Sequence, residues 1–405
     1  MGNKIFYVYA IRDSNPDGCA EAFLNLPASP YEMLDAMDKL RLDDGKSVKF
    51  GVEEFYRFGS LVPHLSEKYG LCDLNALAQK LSELDDRQEI AFEGLLKMEP
   101  VEKGSPIGLP RLIDLAYSAD CCHVVDEALN DSQLGRFCAE NGFVPGVDSL
   151  PDAVFELLDF ERIGREHRQR EGGVLVERNA DHPGGYVELR DTLEEVYKTL
   201  DLSVKAPDYT ILLEVSKGFF HDPSYDSGKT VPLRLPAAPE ALDAALTALD
   251  VWDWREAGWT CLDCRAPALM EAISDGEAGI GFLNQMAQRL ADIKPEELTE
   301  YKALLSATEC KSLRHAEQLM DTLDQYTFSP QYSSPIEVAR GELPTILSRD
   351  DLAQIIPHLN LYQYGQTLIQ HCGGMLTDYG LIRRNDGQPI QAIEQQPQQG
   401  RMEMY

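Results

Sequence analysis

LNLPASPYEMLDAMDKL, residues 24–40, returns without a gap as LRLPAAPEALDAALTAL, residues 233–249, an offset of 209. Leu24/Leu233, Leu26/Leu235, Pro27/Pro236, Ala28/Ala237, Pro30/Pro239, Ala36/Ala245 and Leu40/Leu249 coincide. The same offset lays LNQMAQRL (283–290) over LNALAQKL (74–81). Chance similarity does not hold one register across two separated segments. Further on, LNLYQYGQTLIQHCGGML (359–376) overlies LDFERIGREHRQREGGVL (158–175) at offset 201. Gly164/Gly365, Gln169/Gln370 and the pairs Gly172-Gly173/Gly373-Gly374 coincide, and the drift in offset is a few loop deletions. The repeat is a tandem duplication of a unit of roughly 200 residues, far longer than a solenoid repeat.

Each copy opens on a strand, 4–10 in the first and 209–215 in the second. In the first copy a second strand (21–26) ends at Pro27. A helix follows over 31–40, with Met33, Leu34, Met37 and Leu40 on one face, and strand character resumes over 48–57. Residues 73–98 read as two helices broken near Asp85-Asp86, and 108–119 as a short third. Asp152–Glu166 reads as an amphipathic helix with Pro151 in its first turn and Gly172 as a left-handed stop. Tyr186-Val187 reads as a closing strand, with a helix over 193–200. The expected class is α+β: two tandem copies of a three-lobed unit, elongated and acidic. The first copy spans 1–204, with an α/β lobe over 1–70, a helical lobe over 71–125 and a last lobe over 126–204. The second, diverged copy spans 205–385. A Gln-rich tail, 386–405, is expected to be disordered.

The chain has 405 residues and carries 68 acidic against 37 basic side chains, a formal charge of −31. Residues 1–200 hold 38 acidic and 21 basic, so the excess is spread and is not one tail. A chain this acidic does not bind nucleic acid by neutralising phosphates, but it suits a basic groove, including one built for DNA. No run of 18 apolar residues marks a membrane span, and MGNKIFYVYA reads as a strand, not a leader. Nine scattered cysteines, an odd number, point to free thiols and a cytoplasmic location.

Recognisable catalytic motifs are missing. DSGKT (226–230) resembles the end of a phosphate loop, but Pro223 stands where its first glycine is needed, and a strand follows instead of a helix. Cys261–Cys264 is the one CxxC, without a second pair to complete a zinc site; two small apolar thiols on a half-buried strand is the better reading. Cys122-His123 are sequence neighbours and not by themselves a nucleophile and base. No enzyme, cofactor or metal is expected.

The recurring theme is carboxylates: Glu32, Asp35 and Asp38; Asp43 and Asp44; Glu53 and Glu54; Glu83, Asp85, Asp86, Glu89 and Glu93; and, in the second copy, Asp292, Glu296, Glu297 and Glu300. One reading is a solvated face. The other is a ladder of charges standing where phosphates stand, since 31 net charges match roughly 50 Å of duplex.

LGRFCAENGF (134–143), LLDFERIGRE (157–166), EGG (171–173) and GYV (185–187), after SPIGLPRLIDLAYSADC (105–121), together resemble the ArdA antirestriction proteins. The resemblance is good over about 74–187 and fainter elsewhere. It implies an elongated three-lobed protein that imitates bent DNA and competitively occupies the DNA groove of a type I restriction–modification enzyme. Such a protein protects incoming mobile-element DNA. The family's antirestriction motif falls on Leu158, Asp159, Phe160, Glu161, Ile163, Gly164, Arg165 and Glu166. Ile163 departs from the usual aromatic and Glu166 from the usual Asp. The second copy keeps Tyr364 and Gly365 but loses the Arg and the acid.

Family members of ordinary length are homodimers, so the tandem chain is expected to be a monomeric pseudo-dimer or a homodimer, binding neither nucleic acid nor membrane. Arg162, Arg165, Arg168 and Arg170 are poor phosphate mimics, and the i,i+4 pairs Glu161–Arg165 and Glu166–Arg170 suit a structural contact. The competing reading is an acidic scaffold or regulator for another basic DNA-binding protein of a mobile element.

Overall fold

A computed structural model describes residues 4–12, 20–41, 48–65, 70–100, 105–126, 128–177, 184–218, 229–276 and 278–390. The chain begins with β1 (Phe6–Arg12), β2 (Glu21–Leu26), α1 (Pro30–Leu40) and β3 (Val48–Phe55). The strands form a sheet of order β2-β1-β3. Alternate residues of β1 and β2 are buried, the period-2 signature of a sheet with one face on a core. α1 starts on a capping box, in which Ser29 Oγ accepts from the Glu32 N–H and Glu32 accepts from the Ser29 N–H. Contact clustering divides the chain into two compact units, residues 1–8, 25–28 and 51–203, and residues 9–24, 29–50 and 204–405. α1 therefore belongs with the second half of the sequence.

In the first unit, α2 (Leu71–Ser82), α3 (Asp86–Met98) and α4 (Leu109–Tyr117) form the helical middle. Asp85 caps α3, in a second capping box with Gln88, which is why 73–98 breaks at that point. Then come β4 (Cys122–Asp126), α5 (Asp131–Glu140), α6 (Asp152–Phe155), α7 (Phe160–Glu171), β5 (Val174–Val176) and β6 (Gly185–Leu189). Their antiparallel sheet has the order β4-β6-β5. α3 lies close against it: a Cβ on Gly94 would fall 2.6 Å from Val187. The preceding residue, Tyr186, joins a cluster with Leu134, Cys138, Val125 and Ala128, against which Ile163 packs.

Two expectations fail in this unit. Asp152–Glu166 is not one helix. The Asp159 side chain accepts from the Arg162 N–H at 3.0 Å, so the chain breaks and restarts as α7. Pro151 is then the residue that precedes α6, not part of its first turn. Residues 193–200 form only a 3-10 turn, Tyr197–Thr199, whose start is held by the Asp114 carboxylate accepting from the Tyr197 N–H at 2.8 Å.

In the second unit, β7 (Ile211–Lys217), β8 (Thr230–Leu235), α8 (Pro239–Leu249) and β9 (Ala257–Cys264) precede α9 (Met270–Ser274), α10 (Ile280–Asp292), α11 (Pro295–Ala307) and α12 (Leu313–Met320). β10 (Tyr326–Ser329), α13 (Pro335–Ile346), α14 (Arg349–Ile355), α15 (Leu361–His371), β11 (Met375–Thr377) and β12 (Gly380–Arg384) complete it. The sheet orders are β8-β7-β9 and β10-β12-β11. The core joins Ile211, Leu213, Leu235, Leu249 and Trp259 to Leu283, Leu290, Tyr301 and Leu313.

The Leu-Asn pair common to 74–81 and 283–290 has a mechanical role. Asn75 Oδ1 accepts from the Ala28 N–H at 2.7 Å, and Asn284 Oδ1 accepts from the Ala237 N–H at 2.7 Å. Each amide donates back to the same residue's carbonyl, at 3.2 and 3.0 Å. Each asparagine thus ties its helix to the turn that follows the repeated Leu-Pro. The tail expected to be disordered from 386 is ordered to Ile390, which is buried on Leu304 and Ile382; residues 391–405 lie outside those described. Among the described residues no helix is long and apolar enough to cross a membrane.

Candidate interaction surface and its supporting helix pair

α5 and α7 cross at two glycines. A Cβ on Gly164 would lie 1.9 Å from the Asp131 carbonyl oxygen, and one on Gly135 would lie 1.8 Å from that of Phe160. No side chain fits at either position. The crossing is reinforced by Asp131, whose carboxylate takes Arg168 Nε at 2.8 Å and Nη2 at 2.9 Å. Hydrogen bonds from Arg168 hold its pKa below the ordinary Asp value, although burial opposes them. Arg165 pairs with Glu161 and stands 4.0 Å from Asp131.

Glu166 pairs with Arg162 at 2.8 Å, not with Arg170 as the spacing predicts. Arg170 is turned away, donating to Glu171 at 2.8 Å and to His167 Nδ1 at 3.1 Å. Of the motif residues, Gly164 is buried, Leu158, Phe160 and Ile163 are half-buried, and Asp159, Glu161, Arg165 and Glu166 are exposed. Asp159 caps the helix, and the other three exposed residues are tied up in ion pairs along α7.

Beneath α7 lies a polar cluster that sequence spacing gives no hint of. Glu188 is 1% exposed. It is contacted by His167 Nε2 at 3.1 Å, His123 Nδ1 at 3.2 Å, the Tyr186 hydroxyl at 3.0 Å and the Arg190 guanidinium. The donors fix a tautomer. Arg170 can only donate, so His167 Nδ1 accepts, and its proton sits on Nε2, facing Glu188. Burial raises the Tyr186 hydroxyl far above its usual pKa, and the Glu188 charge adds to this. The carboxylate that burial would otherwise penalise is therefore fully used.

The sixteen acidic candidates separate into two kinds. Glu53 and Glu54 on β3, Glu83 at the end of α2, and Asp85 and Asp86 at the start of α3 are exposed. Asp292 and Glu296 are exposed in the second unit. None of these seven has an ion pair among the described residues. Glu93, Glu297 and Glu300 are half-buried. Lys294 reaches Glu297 at 2.7 Å, and burial followed by the Glu297 charge raises the pKa of Glu300.

Glu89, Asp35, Asp38 and Glu32 are placed otherwise than as free carboxylates. Glu89 is 3% exposed and paired with Arg57. Asp35 is 6% exposed, 3.0 Å from Lys302 Nζ and 3.2 Å from Lys39 Nζ, and accepts from the Tyr379 hydroxyl at 2.9 Å. Lys302, itself 3% exposed, also reaches Asp38 at 2.8 Å. Burial raises the pKa of Asp35, but Lys302, Lys39 and Tyr379 together hold it below the ordinary value. Glu32 is occupied by the capping box. Of the expected stripe on α1, Asp35 is buried and Glu32 and Asp38 are half-buried, so it is a docking edge and not a solvated row, because the donor Lys302 comes from far along the chain. Asp43 and Asp44 lie outside the described residues.

The same edge uses the CxxC segment in an unforeseen way. Cys261 and Cys264 are buried thiols on β9, and burial raises the pKa of both, that of Cys264 to about 12. The residue between them that acts is Asp263. It accepts from Ser29 Oγ at 2.6 Å, Tyr209 Oη at 2.8 Å and the Cys264 N–H at 3.0 Å.

No protein-family model matches this chain, and no curated protein sequence matches it.

Proposed function

We propose that the chain is an antirestriction protein of the ArdA kind. It is a non-enzymatic cytoplasmic DNA mimic that competes for the basic DNA groove of a type I restriction–modification enzyme and so protects incoming mobile-element DNA. The observation that carries the reading is the sorting of the carboxylates. Among the described residues every buried candidate has a cation, whereas Glu53, Glu54, Glu83, Asp85, Asp86, Asp292 and Glu296 stand exposed with none. A chain of net charge −31 that leaves these carboxylates unneutralised is suited to take lysines and arginines from a partner. Each such contact displaces an ion from the partner's groove, so affinity falls steeply with salt.

The chain is further read as two tandem copies. Support comes from the matching sheet orders, the two asparagine ties and the helix crossings. In the second copy a Cβ on Gly365 would lie 1.7 Å from the Pro335 carbonyl oxygen, as Gly164 lies against Asp131. Only the crossing is common to both. Pro335, Gln366 and Ile369 stand where Asp131, Arg165 and Arg168 stand in the first copy. On this reading Gly164 and Arg165 build the lobe, and the inhibition resides in the exposed carboxylates.

The test is transfer of unmodified plasmid, or phage plating, into hosts with and without a type I system. Expression of the chain should restore transfer only where the system is present. Absence of rescue in every such host would end the proposal.

A further inference from the structure

Trp252 is 93% exposed, and no other large apolar side chain among the described residues is as bare. Its backbone is pinned on both sides. α8 ends at Asp250 in the left-handed conformation (φ 56°), with its N–H bonded to the Leu246 and Thr247 carbonyls. The next residue, Val251, is buried in the core and bonds the Leu246 carbonyl at 3.1 Å. On the other side Trp254 packs against that core. Asp253 accepts from the Arg255 N–H at 2.9 Å, and the Glu256 N–H reaches the Asp253 carbonyl at 3.0 Å. Lys217 Nζ clamps the Asp250 carbonyl at 3.0 Å. One indole is therefore held out in solvent from a fixed turn.

The surroundings specify what would cover it. Asp250, Asp253 and Glu256 stand against two cations, both already engaged: Lys217 Nζ on the Asp250 carbonyl, and the Arg255 guanidinium on Asp253 at 2.8 and 3.0 Å. No described cation stands over the Trp252 ring. The face of an indole attracts cations, arginine above all, because the planar guanidinium stacks while its edge still donates to carboxylates. Asp250, two residues before Trp252, is exposed to receive such a bond. The offset of 209 aligns Trp252 with Asp43 and Asp253 with Asp44, so the first copy has a carboxylate where the second has the indole.

We propose that Trp252 is a recognition anchor for an arginine of the basic protein groove that the chain occupies, the guanidinium stacking on the indole beside Asp250. This rests on the DNA-mimic reading and adds to it a contact that DNA itself does not make. It would let the chain bind more tightly than its charge alone allows.

The test compares wild type with Trp252→Ala and Trp252→Phe. The exposed side chain supports no fold, so both variants should keep the wild-type circular dichroism. Binding to a purified type I enzyme should weaken about tenfold in Trp252→Ala and less in Trp252→Phe. The salt slope should not change, because no charge is removed. Equal affinity of wild type and Trp252→Ala overturns the proposal and leaves the DNA-mimic reading standing. If wild type binds no such enzyme, that reading fails, and an octa-arginine peptide decides the anchor separately. Loss of its effect on tryptophan fluorescence in Trp252→Phe, with a weaker effect from octa-lysine, upholds the anchor; identical responses in wild type and variant overturn it.

Discussion

Replacing Gly164 by alanine tests whether the α5–α7 crossing is what the motif glycine is for. The new Cβ would start 1.9 Å from the Asp131 carbonyl oxygen, and reaching even 3.0 Å requires the helices to part by about 1.1 Å. Overpacking of this kind costs about 1–3 kcal/mol, and here the obstacle is backbone, which places the cost at the upper end. Parting the helices also stretches the paired bonds from Arg168 to Asp131. Against this, alanine gains about 1 kcal/mol of helix propensity over glycine. The net is a loss of about 1–2 kcal/mol in the lobe. The assay is native-state hydrogen exchange on peptides covering 131–140 and 160–171, where protection should fall roughly 5- to 30-fold. Gly281→Ala is the control: its Cβ would meet nothing within 4 Å, so the same chemical change carries no clash. Protection in 280–292 should then hold or rise. If Gly164→Ala leaves α5 and α7 as protected as in wild type, the reasoning from close approach is wrong.

Lys302→Ala leaves the buried Asp35 to Lys39 and the Tyr379 hydroxyl and should destabilise the second unit by up to about 3–5 kcal/mol, whereas Lys302→Met with Asp35→Leu should cost less; urea melts followed by tryptophan fluorescence distinguish them. Because Asp35 titrates below its unfolded value of 3.8, its stabilising contribution is complete above that pH and is lost as the pH falls through the lower folded value. Lys302→Ala should therefore show a shallower loss of stability between about pH 5 and pH 2 than wild type. Glu83→Gln, Asp85→Asn and Asp86→Asn together should reduce the slope of log affinity against log salt by up to about three if all three charges meet the partner's cations. An unchanged slope removes them from the mimic face; the asparagine at 85 keeps the cap. Light scattering should give a single-chain mass of 45.3 kDa, and a stable species of twice that mass would refute the pseudo-dimer.

Local signals were readable where local physics decides. The helix after Pro27, the break near Asp85-Asp86, the left-handed stop at Gly172 and the first strands follow from near neighbours in the chain. The repeat gave more, since Asn75 and Asn284 recur for a shared mechanical reason. The carboxylates were where sequence reasoning failed. Asp35 and Asp86 look alike in the chain, yet one is buried on a lysine 267 positions away and the other is bare. Nothing near Asp35 announces Lys302, as nothing near His167 announces Glu188. Helical spacing favoured Arg170 for Glu166, but His167 and Glu171 offered Arg170 better partners. Charge count bounds what a surface can do, and only long-range pairing shows which charges remain for a partner.

The docking of α1 also sets an order of events during synthesis. Ser29, Tyr31, Asp35 and Asp38 leave the ribosome long before Asp263 and Lys302, which receive them. At about 5–20 residues per second, the 267 residues from Asp35 to Lys302 take roughly 13–53 s to make. For that interval the carboxylates of the helix edge lack their donor Lys302 and stay hydrated. The first segment translated is thus among the last to be secured, and a nascent chain that stalls before residue 302 cannot close its second unit.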